Sequence, residues 1–188
     1  MEKVFIPVLL GTSRVGRNSE RVAKFVFEEF KKEAGVETVF IDVKEHLGTQ
    51  TLPPWGEGGA DTHPTFWKKT MGRADGLFIV TPEYNRGYPG ELKMFLDSIY
   101  DEYARKPLLL CAVSTNVWGG RHVVEHLRPV AAELQMVTLH NNIYVPRVES
   151  AFDEKGNPTD QKFLERLRDP FEELLWYARA LKVARNTQ

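Results

Sequence analysis

One cysteine, Cys111, is present in 188 residues, which excludes an internal disulfide and any metal site built on several thiolates. It sits inside the apolar run LLLCAV, where a small buried hydrophobe is the expected role and a reactive thiol is not. No stretch of about 18 apolar residues offers a membrane helix. The chain starts without the basic segment, apolar core and small-residue cleavage site of a secretory leader. Charge of one sign is also missing. The 25 Lys and Arg against 26 Asp and Glu leave a net charge of −1, so no overall field draws the chain to nucleic acid or to an anionic membrane. No repeat, low-complexity tract or interdomain linker interrupts it. The expectation is a soluble, cytoplasmic protein forming one domain over residues 1–188, long enough for a real core.

What is present is an alternation of apolar runs and helical periods. Val4 to Leu10 (VFIPVLL) has the composition of a strand covered on both faces, with Pro7 the one residue that costs a ladder bond. Val22, Ala23, Val26, Phe27 and Phe30 recur at helical spacing, with Gly35 as a stop. A second strand follows over Val36 to Val43. The connection over 44–64, rich in Gly, Pro and Thr and holding Trp55, reads equally as the rim of a site or as a cover over the sheet end. A short helix over Phe66 to Ala74 leads to a third strand, Gly76 to Val80. The next helix begins near Pro89, and its apolar period (Leu92, Phe95, Leu96, Ile99, Tyr103) runs to Lys106-Pro107. The fourth strand is Leu108 to Ser114. The helix after it carries Val123, Leu127 and Ala131 on one side, with Pro129 predicting a kink. A fifth strand over Met136 to Val145 precedes a closing helix that places Phe163, Leu167, Phe171, Leu174 and Ala178 together, with Asp169-Pro170 as a point of restart. Five strands alternating with helices predict an α/β fold with one doubly wound parallel sheet.

Three loops at the carboxyl ends of strands carry the unusual residues, at the edge where open parallel sheets bind ligands. The first, GTSRVGRNSER, gathers hydroxyls, guanidinium groups and free amides at a helix start, which suits an anion. The second, TPEYNRGYPGELKMFLD, offers tyrosine faces and a loop that Gly87 and Gly90 free to turn its amides toward something flat. It reads equally as a surface turn whose tyrosines cover the sheet. The third, TNVWGGR, places Gly119-Gly120 at a helix start, again suited to negative charge. A ligand with a phosphate at one end and an electron-accepting ring at the other satisfies all three.

The segments GTSRVGRNSERVAKFV, TPEYNRGYPGELKMFLD and STNVWGGRHVVEHLRPVAAEL, in this order, resemble the NADPH-dependent FMN reductase family of flavodoxin-like proteins, over most of Val4 to Val145. The resemblance implies a flavodoxin-like three-layer sandwich with strand order 2-1-3-4-5 and bound FMN. It also implies reduction by NADPH or NADH, transfer to flavin, quinone, azo or similar acceptors, and assembly as a homodimer or homotetramer. By position, Thr12, Ser13, Arg14 and Ser19 are expected to hold the phosphate, with Arg17 and Asn18 beside them. Pro82, Glu83, Tyr84 and Asn85 are expected to line the ring, and Ser114, Asn116, Gly119 and Gly120 to approach its pyrimidine side. No metal and no obligatory catalytic side chain is implied, because the flavin carries the chemistry. Two positions depart from the pattern. Met94 stands where members commonly have asparagine, which bears on helix and dimer packing, and Trp118 is bulkier than usual, which narrows the expected pocket. Tyr88, Trp118 and Trp55 are candidates to complete a neighbour's pocket, with simple packing as the default.

Other classes read less well. A hydrolase elbow fails because the second glycine of Gly11-Thr12-Ser13-Arg14-Val15-Gly16 comes one residue late. A Rossmann dehydrogenase, with Asp42 on a ribose, lacks the middle glycine. A non-enzymatic FMN carrier docking on basic partners would gain from strong negative charge, absent here, and a flavin sensor stays open as an alternative.

Overall fold

The computed structural model describes residues 3–48 and 63–187, so Trp55 and most of the 44–64 connection lie outside the described residues. At the centre of the sheet, β5 (Leu77–Pro82) and β6 (Pro107–Val113) pair in parallel from Leu77↔Leu108 to Pro82↔Val113. Both are buried along their whole length, which is why their sequences are unbroken apolar runs. The other edge of β5 receives β2 (Val8–Leu10), and β4 (Phe40–Asp42) adds to β2. Beyond β6 lie two short pieces, β7 (Val137–Thr138) and β8 (Ile143–Val145). A separate pair, β1 (Val4–Phe5) with β3 (Val36–Glu37), extends β2 and β4 toward their amino ends. With interrupted strands taken as one, the order is the expected 2-1-3-4-5, all parallel.

Each interruption has a local cause. Pro7 lacks the N–H that would continue the ladder, and across from it the Thr38 hydroxyl donates to the Ile6 carbonyl at 2.7 Å. The expected single strand over Met136 to Val145 is broken because side chains replace ladder partners. Asn142 Oδ1 accepts from the Leu110 amide at 3.2 Å, while Glu173 accepts from the amides of His140 and Asn141 at 3.1 and 2.9 Å.

Successive strand residues point to opposite faces, and two cores result. On one side α1 (Ser19–Phe30) and α6 (Lys162–Asn186) cover Val8, Leu10, Phe78, Val80 and Leu109. There Phe30 lies edge-on to Phe78 and Phe171, with centroids 5.8 and 5.0 Å apart. On the other side α2 (His63–Arg73), α3 (Gly90–Leu96) and α4 (Arg121–Glu133) cover Leu9, Ile79, Leu110 and Ala112. A one-turn helix, α5 (Val148–Ala151), follows β8. Both α4 and α6 continue through their prolines, Pro129 and Pro170, so α6 needs no restart. Cys111 is fully buried, and burial pushes its thiol pKa up.

The helix after Pro89 is shorter than its apolar period suggests. It ends at Leu96, whose carbonyl accepts from the Tyr103 hydroxyl at 3.0 Å, and Tyr103 in turn accepts from Trp67 Nε1 at 2.6 Å. A buried phenol thus closes the last turn, and Ile99 and Tyr103 reach the core through a bend and a 3-10 turn instead.

Gly119 and Gly120 adopt φ of +64° and +86°. A Cβ on Gly120 would lie 2.8 Å from that of Ala112, and one on Gly119 would lie 3.0 Å from the Pro146 nitrogen. This close passage over the sheet is what requires the pair. Gly16 is also left-handed, but a Cβ there meets nothing within 4 Å. Gly120→Ala should therefore destabilise by roughly 2–4 kcal/mol and Gly16→Ala by about 1 kcal/mol in urea denaturation.

At the amino edge of the sheet, Asp75 accepts from the Phe5 amide at 3.0 Å and pairs with Lys182 and Arg185 of α6 at 3.1 and 2.8 Å. Lys106 is buried nearby, donating to the Met71 carbonyl. Burial, helped by Arg185, pulls its pKa from the ordinary 10.5 down to about 8. Between these values the unfolded chain binds more protons than the folded one, so this residue makes stability rise with pH. The stability of wild type relative to Lys106→Met should accordingly increase from pH 8 to pH 10.5, on the order of 2 kcal/mol, in denaturation curves taken across that range.

Candidate functional site

Because β2 and β5 are neighbours, the loops that leave their carboxyl ends meet, although some 70 residues separate them. Thr12 is buried, with its hydroxyl 3.0 Å from the Tyr84 hydroxyl, and it donates to Glu91 Oε1 at 3.0 Å. The amide and hydroxyl of Ser13 donate to the same oxygen at 2.9 and 3.3 Å. The Arg14 amide donates to Thr12 Oγ1 at 3.3 Å, and its exposed guanidinium lies over the Tyr84 ring, 3.6 Å from the centroid. Thr12 thereby joins the phosphate-type loop to the tyrosine of the second loop.

At the start of α1, Asn18 holds the cap position in helical geometry and makes no capping bond. Ser19 is 2% exposed, and its hydroxyl has no hydrogen-bond partner among the described residues. The first-turn amides of a helix without a side-chain cap favour negative charge. One anion already demonstrates the chemistry of the loop, since three donors from Thr12 and Ser13 converge on the Glu91 carboxylate. Burial pushes the Glu91 pKa up, but bonds from the Ser13 amide, its own amide and the two hydroxyls outweigh it and hold the group below its ordinary value. The donor set suits a phosphate monoester such as that of FMN. Glu91 itself was not singled out in the sequence; the available signal was an acid in the first turn after Pro89-Gly90.

Arg17, expected beside the phosphate, is engaged within the protein. Arg17 turns its fork to Asp42, with one bond of 2.8 Å and a second closer pairing, and also donates to the Thr12 carbonyl. Its side chain is 5% exposed. Burial would lower its pKa, but bonding to Asp42 and Glu20 raises it on balance. Arg17 is thus a brace for the loop, and Asp42 is unavailable to a ribose. Asn18 makes no capping bond and is half-buried.

The second loop is a tight hairpin. The amides of Tyr84 and Gly87 donate to one another's carbonyls, both at 2.9 Å. The left-handed positions fall on Asn85 (φ +50°) and Arg86 (φ +68°), the pattern of a type I′ turn, and not on Gly87 or Gly90 as expected. Pro82 is buried at the end of β5.

Glu83 gives the third loop an internal partner. Its carboxylate, 6% exposed, accepts from the amides of His122 and Val123 at 3.0 and 3.4 Å and from Asn116 Nδ2 at 3.4 Å. The start of α4 is therefore already served by an internal anion. Ser114 Oγ accepts from the Asn116 amide at 3.3 Å, and Asn116 Oδ1 from the Trp118 amide at 2.8 Å. Trp118 stands 59% exposed beside them, while Tyr88 packs against the second core. Among the described residues no group of three His, Cys, Asp or Glu is placed to hold a metal, and no helix is long and apolar enough to cross a membrane.

Comparison with known proteins finds relatives by sequence and by fold. An NAD(P)H-dependent FMN reductase of Schizosaccharomyces pombe is 35% identical over 136 residues, covering 70% of this chain and 67% of its own length. A 2-hydroxy-1,4-benzoquinone reductase of Burkholderia sp is 34% identical over 114 residues, covering 56% of this chain and 62% of its own length. Among solved structures, FerB of Paracoccus denitrificans, a flavoenzyme NAD(P)H:(acceptor) oxidoreductase, shares the fold with a TM-score of 0.74 at 19% identity, covering 93% of this chain and 98% of its own. The pattern of the NADPH-dependent FMN reductases matches residues 5–149, and the chain belongs to that family.

Proposed function

We propose that this protein is an NAD(P)H-dependent FMN reductase that passes reducing equivalents to a small-molecule acceptor, free flavin or a quinone being the classes its relatives' names point to. The observation that carries the reading is the anion cradle of Thr12 and Ser13, set at the switch point of a parallel sheet and followed by a Ser19 hydroxyl that has no partner among the described residues. Bound FMN would supply the electron-accepting ring for hydride from NADPH or NADH. Thr12, Ser13 and Ser19 would hold its phosphate, with Arg14 adding charge. Pro82, Tyr84 and Asn85 would frame the ring, and Ser114, Asn116, Gly119 and Gly120 would form its far wall. Glu83 would act through that wall, by fixing α4 and Asn116. No side chain is assigned a proton transfer; the work of the chain is to orient the rings and to keep the cradle charged and rigid.

The same reading takes residues 1–188 as one FMN-binding domain, because two cores share a single sheet, and places it in the cytoplasm as a homodimer or homotetramer. An apolar groove of about 520 Å³ between the end of α3 and α4, lined by Tyr100, Pro129, Val130 and Leu134, supports self-association.

Steady-state oxidation of NADPH or NADH by the purified protein should proceed when FMN or a quinone is supplied. A non-enzymatic carrier would show no turnover. Arg14→Ala should weaken FMN binding by about ten- to a hundredfold in fluorescence titration, the size of a lost charge-assisted bond. Unchanged affinity would refute the phosphate assignment.

A further inference from the structure

The anion cradle is filled from within. Three donors, the Ser13 amide and the hydroxyls of Thr12 and Ser13, reach one oxygen of Glu91 at 2.9, 3.0 and 3.3 Å. Glu91 is in the first turn of α3, 78 residues along the chain from Ser13, so its place there is set by the fold and not by local sequence. We propose that Glu91 is an internal competitor for the flavin phosphate, so that FMN binds by anion exchange and is held as an exchangeable ligand. The inference rests on the reading of this loop as the FMN phosphate site.

The physical argument is one of charge and donor count. A phosphate monoester carries about −1.5 to −2 at pH 7 and seeks the same donors. Two anions cannot share them without strong repulsion, so one must leave. These bonds, with that from its own amide, favour the ionised form of Glu91. The observed affinity for a phosphate then reflects the difference between two sets of charge-assisted bonds. When flavin departs, the carboxylate refills the cradle and keeps Thr12 and Ser13 ordered for the next molecule. That behaviour suits a reductase that releases its flavin. Neighbouring carboxylates are engaged elsewhere: Glu83 by α4, Asp42 by Arg17, and Glu20 by Arg17 and Lys24.

The test compares the flavin-free full chain with its Glu91→Gln and Glu91→Ala variants, titrated with FMN and with riboflavin by flavin fluorescence. Riboflavin has the ring and the ribityl chain but no phosphate. Removing the charge should tighten FMN by about tenfold or more, slow its release on dilution, and leave riboflavin within about twofold. Equal or weaker FMN binding in the variants overturns the proposal. So does a parallel loss for both ligands, which would mark Glu91 as a contact to the ribityl hydroxyls. Inorganic phosphate provides a reading independent of flavin: it should raise the Tm of both variants more than that of wild type, and equal shifts would again count against the proposal. Failure of wild type to bind either flavin would instead overturn the FMN assignment, while the phosphate arm still decides whether Glu91 competes for the loop.

Discussion

A parallel sheet ends each strand at its carboxyl edge with loops whose amides no neighbouring strand can complete, and buried amides must find acceptors. In this fold three carboxylates supply them. Glu83 takes the first amides of α4, Glu91 takes the Ser13 amide, and Asp42 accepts from the Lys44 amide while pairing with Arg17. Each acid joins segments that the chain itself keeps apart, except for the short Asp42 cap. The rigidity of the edge follows from these bonds, since charge-assisted pairs in partly buried surroundings are stronger than neutral ones.

The three are unequal. Glu83 has two helix amides, Asn116 and His122 around it and almost no solvent exposure. Losing it would leave the start of α4 unsatisfied. Asp42 meets a guanidinium fork that also braces the Thr12 carbonyl, so it shapes the first loop from behind. Glu91 is held by two hydroxyls and a single amide from the first loop. An external phosphate presents more acceptor atoms to those donors than a carboxylate does, and a hydroxyl reorients at little cost. Among the three acids, Glu91 is the one whose partners have an equivalent alternative.

Much of the fold was legible in the sequence because strands buried on both faces must be apolar throughout and covering helices must be amphipathic. Leu77 to Val80 and Leu108 to Val113 could hardly be anything else. Two of the misread stretches share a cause: side chains that take the place of backbone partners. Asn142 and Glu173 split the last strand, and Tyr103 closes α3 early, and none of these partnerships leaves a periodic trace. For the site, hydroxyls and arginines in GTSRVGRNSER announced an anion. They did not show that Arg17 turns to Asp42, or that the double glycine serves close packing on Ala112.

Glu91 was invisible for a deeper reason. Its meeting with Ser13 depends on β2 and β5 being adjacent while their following helices pack on opposite faces, α1 in one core and α3 in the other. Such a reversal opens a crevice between the two loops, and whatever stands at the start of α3 borders the floor of the first loop. The position of an acid in that turn therefore has meaning only once strand order is known. Given the order, a short residue there would leave the donors of Thr12 and Ser13 to water and ligand alone. Glutamate has the length to reach them. The same topology that brings the two loops together thus sets position 91 against the donors of Thr12 and Ser13.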